Sequence, residues 1–133
     1  MTTPVTDHYE KLLGPIYAWM VGDLDIATER ADAELASIGL PSSTTGDAID
    51  LGAGFGMHAL PLARRGYKVV ALDNYEPLLQ ELRSRAGSLT VRAVPADLLR
   101  FREEVVRPAN VILCMGDTLT HLPNVASVES LLR

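Results

Sequence analysis

The stretch IDLGAGFGMHALPLARRGYKVVALD, residues 49–73, decides how this chain folds. Ala48-Ile49-Asp50-Leu51 reads as a short strand that runs directly into a glycine cluster, Gly52-Ala53-Gly54-Phe55-Gly56. Met57–Arg65 reads as a helix closed by Gly66, and Tyr67–Leu72 as a second strand ending at Asp73. Pro61 falls past the first-turn position of that helix and is expected to kink it. Glycines between a strand and a helix allow a tight turn with positive φ and let a ligand approach the backbone with no Cβ in the way. The helix that follows is expected to offer free N–H groups and the positive end of its dipole. Asp73 comes nineteen positions after Gly54 at the end of the second strand, where a carboxylate can accept from both hydroxyls of a ribose.

Downstream the alternation continues. Residues 76–86 form a helix with Pro77 in its first turn and Gly87 past its end. Ser88–Val94 is a third strand, Asp97 lies in the loop after it, and Ala109–Met115 is a fourth, almost wholly apolar strand. Gly116–Pro123 is a loop and Val125–Leu132 a further helix. Strands alternating with helices predict an α/β chain, a Rossmann-like parallel sheet with helices on both faces. Runs such as VVAL and VILCM fit strands buried on both sides.

Upstream, Leu24, Ala27, Ala31, Leu35 and Ile38 recur at helical spacing and predict a helix over 24–38, stopped by Gly39 and Pro41. Residues 7–20 are aromatic-rich and broken by Gly14-Pro15, and Ser42–Gly46 is a polar linker. The chain thus divides into an N-terminal helical lid segment and linker, 1–46, and a ligand-binding part, 47–133. Tyr9, Tyr17 and Trp19 read equally as a lid or as packing anchors. Arg64, Arg65, Arg83 and Arg85 read as solvated helix-face charges.

With 133 residues, 47% of them apolar and 22% charged, the chain can bury one core. A formal charge of -5 argues against a nucleic-acid backbone as partner, which needs clustered Lys and Arg. The single cysteine, Cys114, sits in an apolar run and reads as a small buried hydrophobe. No signal peptide and no membrane-spanning run is evident, so a cytoplasmic protein with no membrane partner is expected. His8, His58 and His121 have no metal-ligand spacing, and no metal site is expected.

A dinucleotide loop is spaced G-x-G-x-x-G, whereas here the third glycine comes one position early and Met57 stands in its place. The D-x-G-x-G-x-G form, with Asp73, instead resembles motif I and the following acidic position of class I S-adenosylmethionine (AdoMet)-dependent methyltransferases. That resemblance implies a cofactor, S-adenosyl-L-methionine, leaving as S-adenosyl-L-homocysteine. It places the backbone of Gly52, Gly54 and Gly56 against the methionine portion, Asp50 near its amino end, and Asp73 on the ribose. Ala96-Asp97-Leu98 is similar to the family's loop at the adenine, with Asp97 accepting from the amino group and Leu98 beside the ring. Met115, Gly116 and Asp117 would pass beneath the sulfonium.

The resemblance extends over about residues 5–133, and its N-terminal and exit-loop segments are similar to methyltransferases of small molecules, glycine-type amines among them. His121 faces the implied methyl site and can orient or deprotonate a nucleophile, or is a locally bonded loop residue. The family fold has seven strands and this sequence supplies four, so the chain is expected to be the cofactor-binding half of such a domain. Its fourth strand would then be an open edge, and a homodimer or strand exchange through 109–115 is expected. A cofactor-binding or assembly module without catalysis is the alternative. A nicotinamide enzyme is disfavoured by the glycine spacing.

Overall fold

The computed structural model describes residues 23–43, 45–115 and 122–133. The aromatic stretch with Tyr9, Tyr17 and Trp19, and the segment carrying Gly116, Asp117 and His121, lie outside the described residues.

Helix α1, Leu24–Ser37, is capped by Asp23, whose carboxylate accepts from the Asp25 and Ile26 amides at 2.8 and 3.3 Å. It buries Ala27, Thr28, Ala31 and Leu35. Ile38, the last member of the expected stripe, lies past the helix end and is 69% exposed. Then come β1 (Asp47–Leu51), α2 (Ala59–Arg64), β2 (Lys68–Asp73), α3 (Glu76–Ala86) and β3 (Val91–Pro95). A 3-10 helix (Leu98–Glu104), β4 (Val111–Leu113) and α4 (Val125–Leu132) complete the described chain. The strands form one parallel sheet in the order β3-β2-β1-β4.

Strand alternation sorts the core into two layers. Ala48 on β1, Val69 and Ala71 on β2 and Leu113 on β4 face one side, where α2 and α3 contribute Leu60, Leu62, Leu79 and Leu82. Ile49, Leu51, Leu72 and Val94 face the other, beneath Phe101 of the 3-10 helix and Leu131 of α4. Asp50 and Asp73 continue the first alternation, so both carboxylates emerge on the side of α2 and α3.

Three sequence expectations need correcting. The fourth strand is three residues long rather than spanning Ala109–Met115, and it is not buried on both faces, since Ile112 is 54% exposed. Beside it runs an apolar groove of about 800 Å³ between Ile49, Leu51, Phe101, Cys114 and Leu131. Pro61 does not fall past the easy positions. It is the third residue of α2, within the first turn, where an amide has no intrahelical partner to lose. Arg65 and Arg85 are not solvated charges. Arg65 donates to the Leu40 carbonyl and to both the carbonyl and carboxylate of Asp32, and Arg85 pairs with Asp25. Both fasten α1 to the rest of the fold.

Candidate functional site

The glycine loop leaves β1 with Gly52, Gly54 and Gly56 at φ 75°, 56° and 95°. A side chain at any of the three would force a conformation that L residues rarely adopt. Gly56 has a second reason to be glycine: a Cβ there would lie 2.2 Å from Leu82 Cδ1 on α3. The side chains between the glycines point into the protein. Ala53 is buried in the sheet core, and Phe55 is buried against Ala27 of α1 and Tyr75 and Leu78.

The loop amides are engaged internally. Gly52 and Ala53 both donate to the Leu72 carbonyl, at 2.8 and 2.9 Å, and Gly56 donates to the Ala53 carbonyl at 3.0 Å. The Gly54 amide donates to Asp73 Oδ2 at 2.9 Å, while Asp73 Oδ1 accepts from the Tyr75 amide at 2.9 Å. The Ala59 amide, at the first position of α2, hydrogen-bonds the Asp50 carboxyl. The expectation of free N–H groups aimed at a ligand therefore fails for these five residues, because carbonyls and carboxylates of the same sheet edge accept from them. At these five positions the loop has no free amide to offer an anion such as a pyrophosphate.

It is instead flanked by acidic groups. Asp50 is 2% exposed, and burial, followed by the charge of Asp73, pushes its pKa up to about 7 against the pull of the Ala59 amide. Register places Asp50 beside Ala71 on one flank and Leu113 on the other, and puts Asp73 one pleat further along β2. Cys114 follows on β4's exit, half-buried, its thiol pushed up by burial and by Asp50. Such a thiol is a poor nucleophile, although it lines the groove half-buried rather than being fully buried as expected.

Asp97 arrives at the same edge. The Ala96 amide donates to the Asp73 carbonyl at 3.0 Å, which fixes the β3 exit beside the β2 exit. Asp97 is exposed and caps the 3-10 helix through the Leu99 amide at 2.9 Å, with Leu98 half-buried behind it. The sequence reading misses that helix, although an Asp two residues before its hydrogen-bond donor is a recognisable cap. Met115 lies two residues beyond Leu113, the ladder partner of Asp50. So the fold gathers Asp50, Gly52, Gly54, Gly56, Asp73, Asp97, Leu98 and Met115 at the carboxyl edge of the sheet, the usual ligand crevice of open α/β folds. Of the expected site residues, Gly116 and His121 lie outside the described chain.

One polar contact at the site has no counterpart in the sequence reading. His58, 5% exposed, has its Nε2 3.1 Å from Glu34 Oε2 on α1. A histidine beside the apolar run Ala59–Ala63 is the available signal, but nothing local names its partner.

The same fold recurs in solved methyltransferases. Magnesium protoporphyrin IX methyltransferase from Synechocystis PCC 6803, solved with bound SAM, aligns with a TM-score of 0.65 at 19% identity over 95% of this chain and 65% of that one. The CcbJ methyltransferase from Streptomyces caelestis gives 0.65 at 23% identity, covering 79% and 45%. The glycopeptide N-methyltransferase MtfA, complexed with sinefungin, gives 0.61 at 20% identity, covering 79% and 42%. The chain thus spans 42–65% of the length of these three structures. No curated protein matches it in sequence. The family model described as "Methyltransferase domain" matches residues 48–133, from β1 to the last described residue. With its glycine turn, paired acids and sheet order, the chain belongs to that family, the class I S-adenosylmethionine-dependent methyltransferases.

Proposed function

We propose that this chain binds S-adenosylmethionine at the carboxyl edge of its sheet and serves methyl transfer to a small-molecule acceptor. The observation that carries this reading is the chemistry of the glycine loop. Its amides at Gly52, Ala53, Gly54 and Gly56 are engaged by internal acceptors, and the acids Asp50 and Asp73 stand beside it. Such a site disfavours the pyrophosphate of a dinucleotide and favours a ligand with cationic groups and a ribose. The residues present fit the cofactor. Asp73 is half-buried, and a carboxylate has about four acceptor sites, so it can hold Gly54, Tyr75 and a ribose diol together. Asp50 would meet the amino end, Asp97 and Leu98 the adenine, and Met115 and Gly116 the edge nearest the sulfonium.

When bound, the cofactor supplies a methyl group on a positively charged sulfur, and the protein supplies position and electrostatics. Alignment of an acceptor with that methyl can lower the barrier by about 7–11 kcal/mol. Asp50 and Asp73 hold the cofactor's orientation through fixed acceptors. His121 is proposed to orient or deprotonate the acceptor. The acidic balance of the chain supports a small molecule over nucleic acid, and a cytoplasmic location fits the lone, unpaired thiol. Among the described residues no helix is long and apolar enough to cross a membrane.

The test is a melting titration with AdoMet, S-adenosylhomocysteine and NAD. Saturation at 100-fold the dissociation constant should stabilise by about 2.7 kcal/mol. Stabilisation by NAD alone would end the proposal. A second reading, a cofactor-binding or assembly module, is supported by the exposed apolar side of β4 at Ile112 and the groove beside it. AdoMet binding without transfer to any amine, carboxylate or hydroxyl acceptor in a panel would select it. Among the described residues β4 pairs only with β1, and this side of the strand together with the groove beside it further supports self-association through residues 109–115.

A further inference from the structure

We propose that Glu34 on α1 is a positioning residue for the cofactor loop, acting through His58; this rests on the AdoMet reading of the site. His58 occupies the N-cap position of α2, two residues after Gly56, yet its side chain makes no capping hydrogen bond. The ring is directed to Glu34 instead, at 3.1 Å, with 7% of the His58 side chain exposed and 48% of that of Glu34. A buried imidazole with one outside partner takes its orientation from that partner.

The position of this contact matters. Gly52 and Ala53 are tied to β2 through Leu72, Gly54 through Asp73, and Ala59 to β1 through Asp50. The turn between Gly54 and Ala59 is backed from outside the sheet by α1, apolar through Phe55 and Met57 against Ala27 and Leu24, and polar through His58 and Glu34. Two other contacts fasten α1, Asp32 to Arg65 and Asp25 to Arg85, but these reach residues at the far ends of α2 and α3. Glu34 therefore acts on the loop itself, and Asp32 only on the docking of the helix. α1 thereby becomes a wall of the site.

The experiment measures AdoMet and S-adenosylhomocysteine affinity by calorimetry, amide exchange across residues 54–59, and melting temperature. The variants are Glu34→Ala, Glu34→Gln, His58→Asn, the double Glu34→Ala/His58→Asn, and Asp32→Ala as control. Loss of the contact should weaken AdoMet binding by about tenfold, the effect of one supporting hydrogen bond. The double variant should lose no more than either single one. Glu34→Gln, which keeps an acceptor for the ring, should retain most of the affinity. Asp32→Ala should lower the melting temperature and leave affinity and loop exchange unchanged. Unchanged affinity and exchange in Glu34→Ala, or equal effects in Asp32→Ala, would overturn the proposal. If the unaltered chain binds no AdoMet, the functional reading fails by itself, and faster exchange over 54–59 in Glu34→Ala still decides whether Glu34 orders the loop.

Discussion

The Gly54 amide donates to Asp73 Oδ2 at 2.9 Å, so the acid at the end of β2 holds the glycine turn at the end of β1 across nineteen residues of sequence. The same carboxylate accepts from the Tyr75 amide and thereby also sets the entry to α3. One side chain shapes the loop and is also the one proposed to grip the ribose. Asp73→Ala removes both acceptors. Hydrogen bonds to a charged group contribute about 1.5–3 kcal/mol each, so a clear drop in melting temperature is expected. AdoMet affinity should fall by at least about tenfold, since loop order and sugar contact are lost together. Asp73→Asn keeps one acceptor oxygen and should lie between the two. Calorimetric affinity unchanged in Asp73→Ala would remove the ribose assignment.

Gly56 tests the packing side of the loop. Its φ of 95° and the closeness of Leu82 Cδ1, 2.2 Å from where a Cβ would stand, act together against any side chain. Leu82 is fully buried among α2 and the sheet, so it cannot swing away into solvent. Gly56→Ala should cost about 2–4 kcal/mol from overpacking and backbone strain combined. Denaturant unfolding measures this. In a Leu82→Ala background the clash disappears and the strain remains, so the cost of adding the methyl should be smaller there. Equal costs in both backgrounds would mean that Leu82 is not the obstacle.

The parts of the site legible in the sequence are those whose physics is local. The glycine turn, the acid at the next strand end and the helix over 76–86 each carry their own signals within a few residues, and each lies where those signals place it. The contacts that fasten α1 are not legible. Arg65, Arg85 and His58 look like ordinary helix-face or helix-start residues until α1 docks and brings Asp32, Asp25 and Glu34 against them. The free-amide expectation fails for a similar reason: strand register decides that Leu72 and Asp73 lie within reach of the loop. The extent of β4 is over-read because apolar composition does not reveal which residues of a run have a neighbouring strand. Asn110, just before it, bonds to both backbone groups of Asp47 and marks where the ladder starts.

Asp50 gives the fold a pH dependence with a definite sign. Its pKa is about 7 in the folded chain and near 3.8 when unfolded. Between those values the folded state holds a proton that the unfolded state has released. Stability should therefore fall as pH rises from about 4 to about 7 and level off above, by an amount on the order of a few kcal/mol. Asp50→Asn keeps an acceptor for the Ala59 amide but has no proton to lose, so its melting temperature should lack that part of the pH profile. Parallel profiles for the two proteins would mean that Asp50 does not titrate in this range.

The open side of β4 makes the last prediction. Among the described residues β4 pairs only with β1, so no described strand lies beside the outward backbone groups of Val111–Leu113. Ile112 is 54% exposed and Val106 90% exposed, next to the apolar groove that runs to Leu131. An unpaired apolar edge of this kind recruits another strand, and two copies related by a two-fold axis can join their edges antiparallel and cover both grooves at once. Sedimentation equilibrium of the unaltered chain at rising concentration should show a dimer. Ile112→Lys sets a charge on each of the joined strands and should return the species to monomer with the melting temperature nearly unchanged, because the side chain is already half in solvent. An unaltered chain that remains monomeric at high concentration would end the case for self-association through this edge.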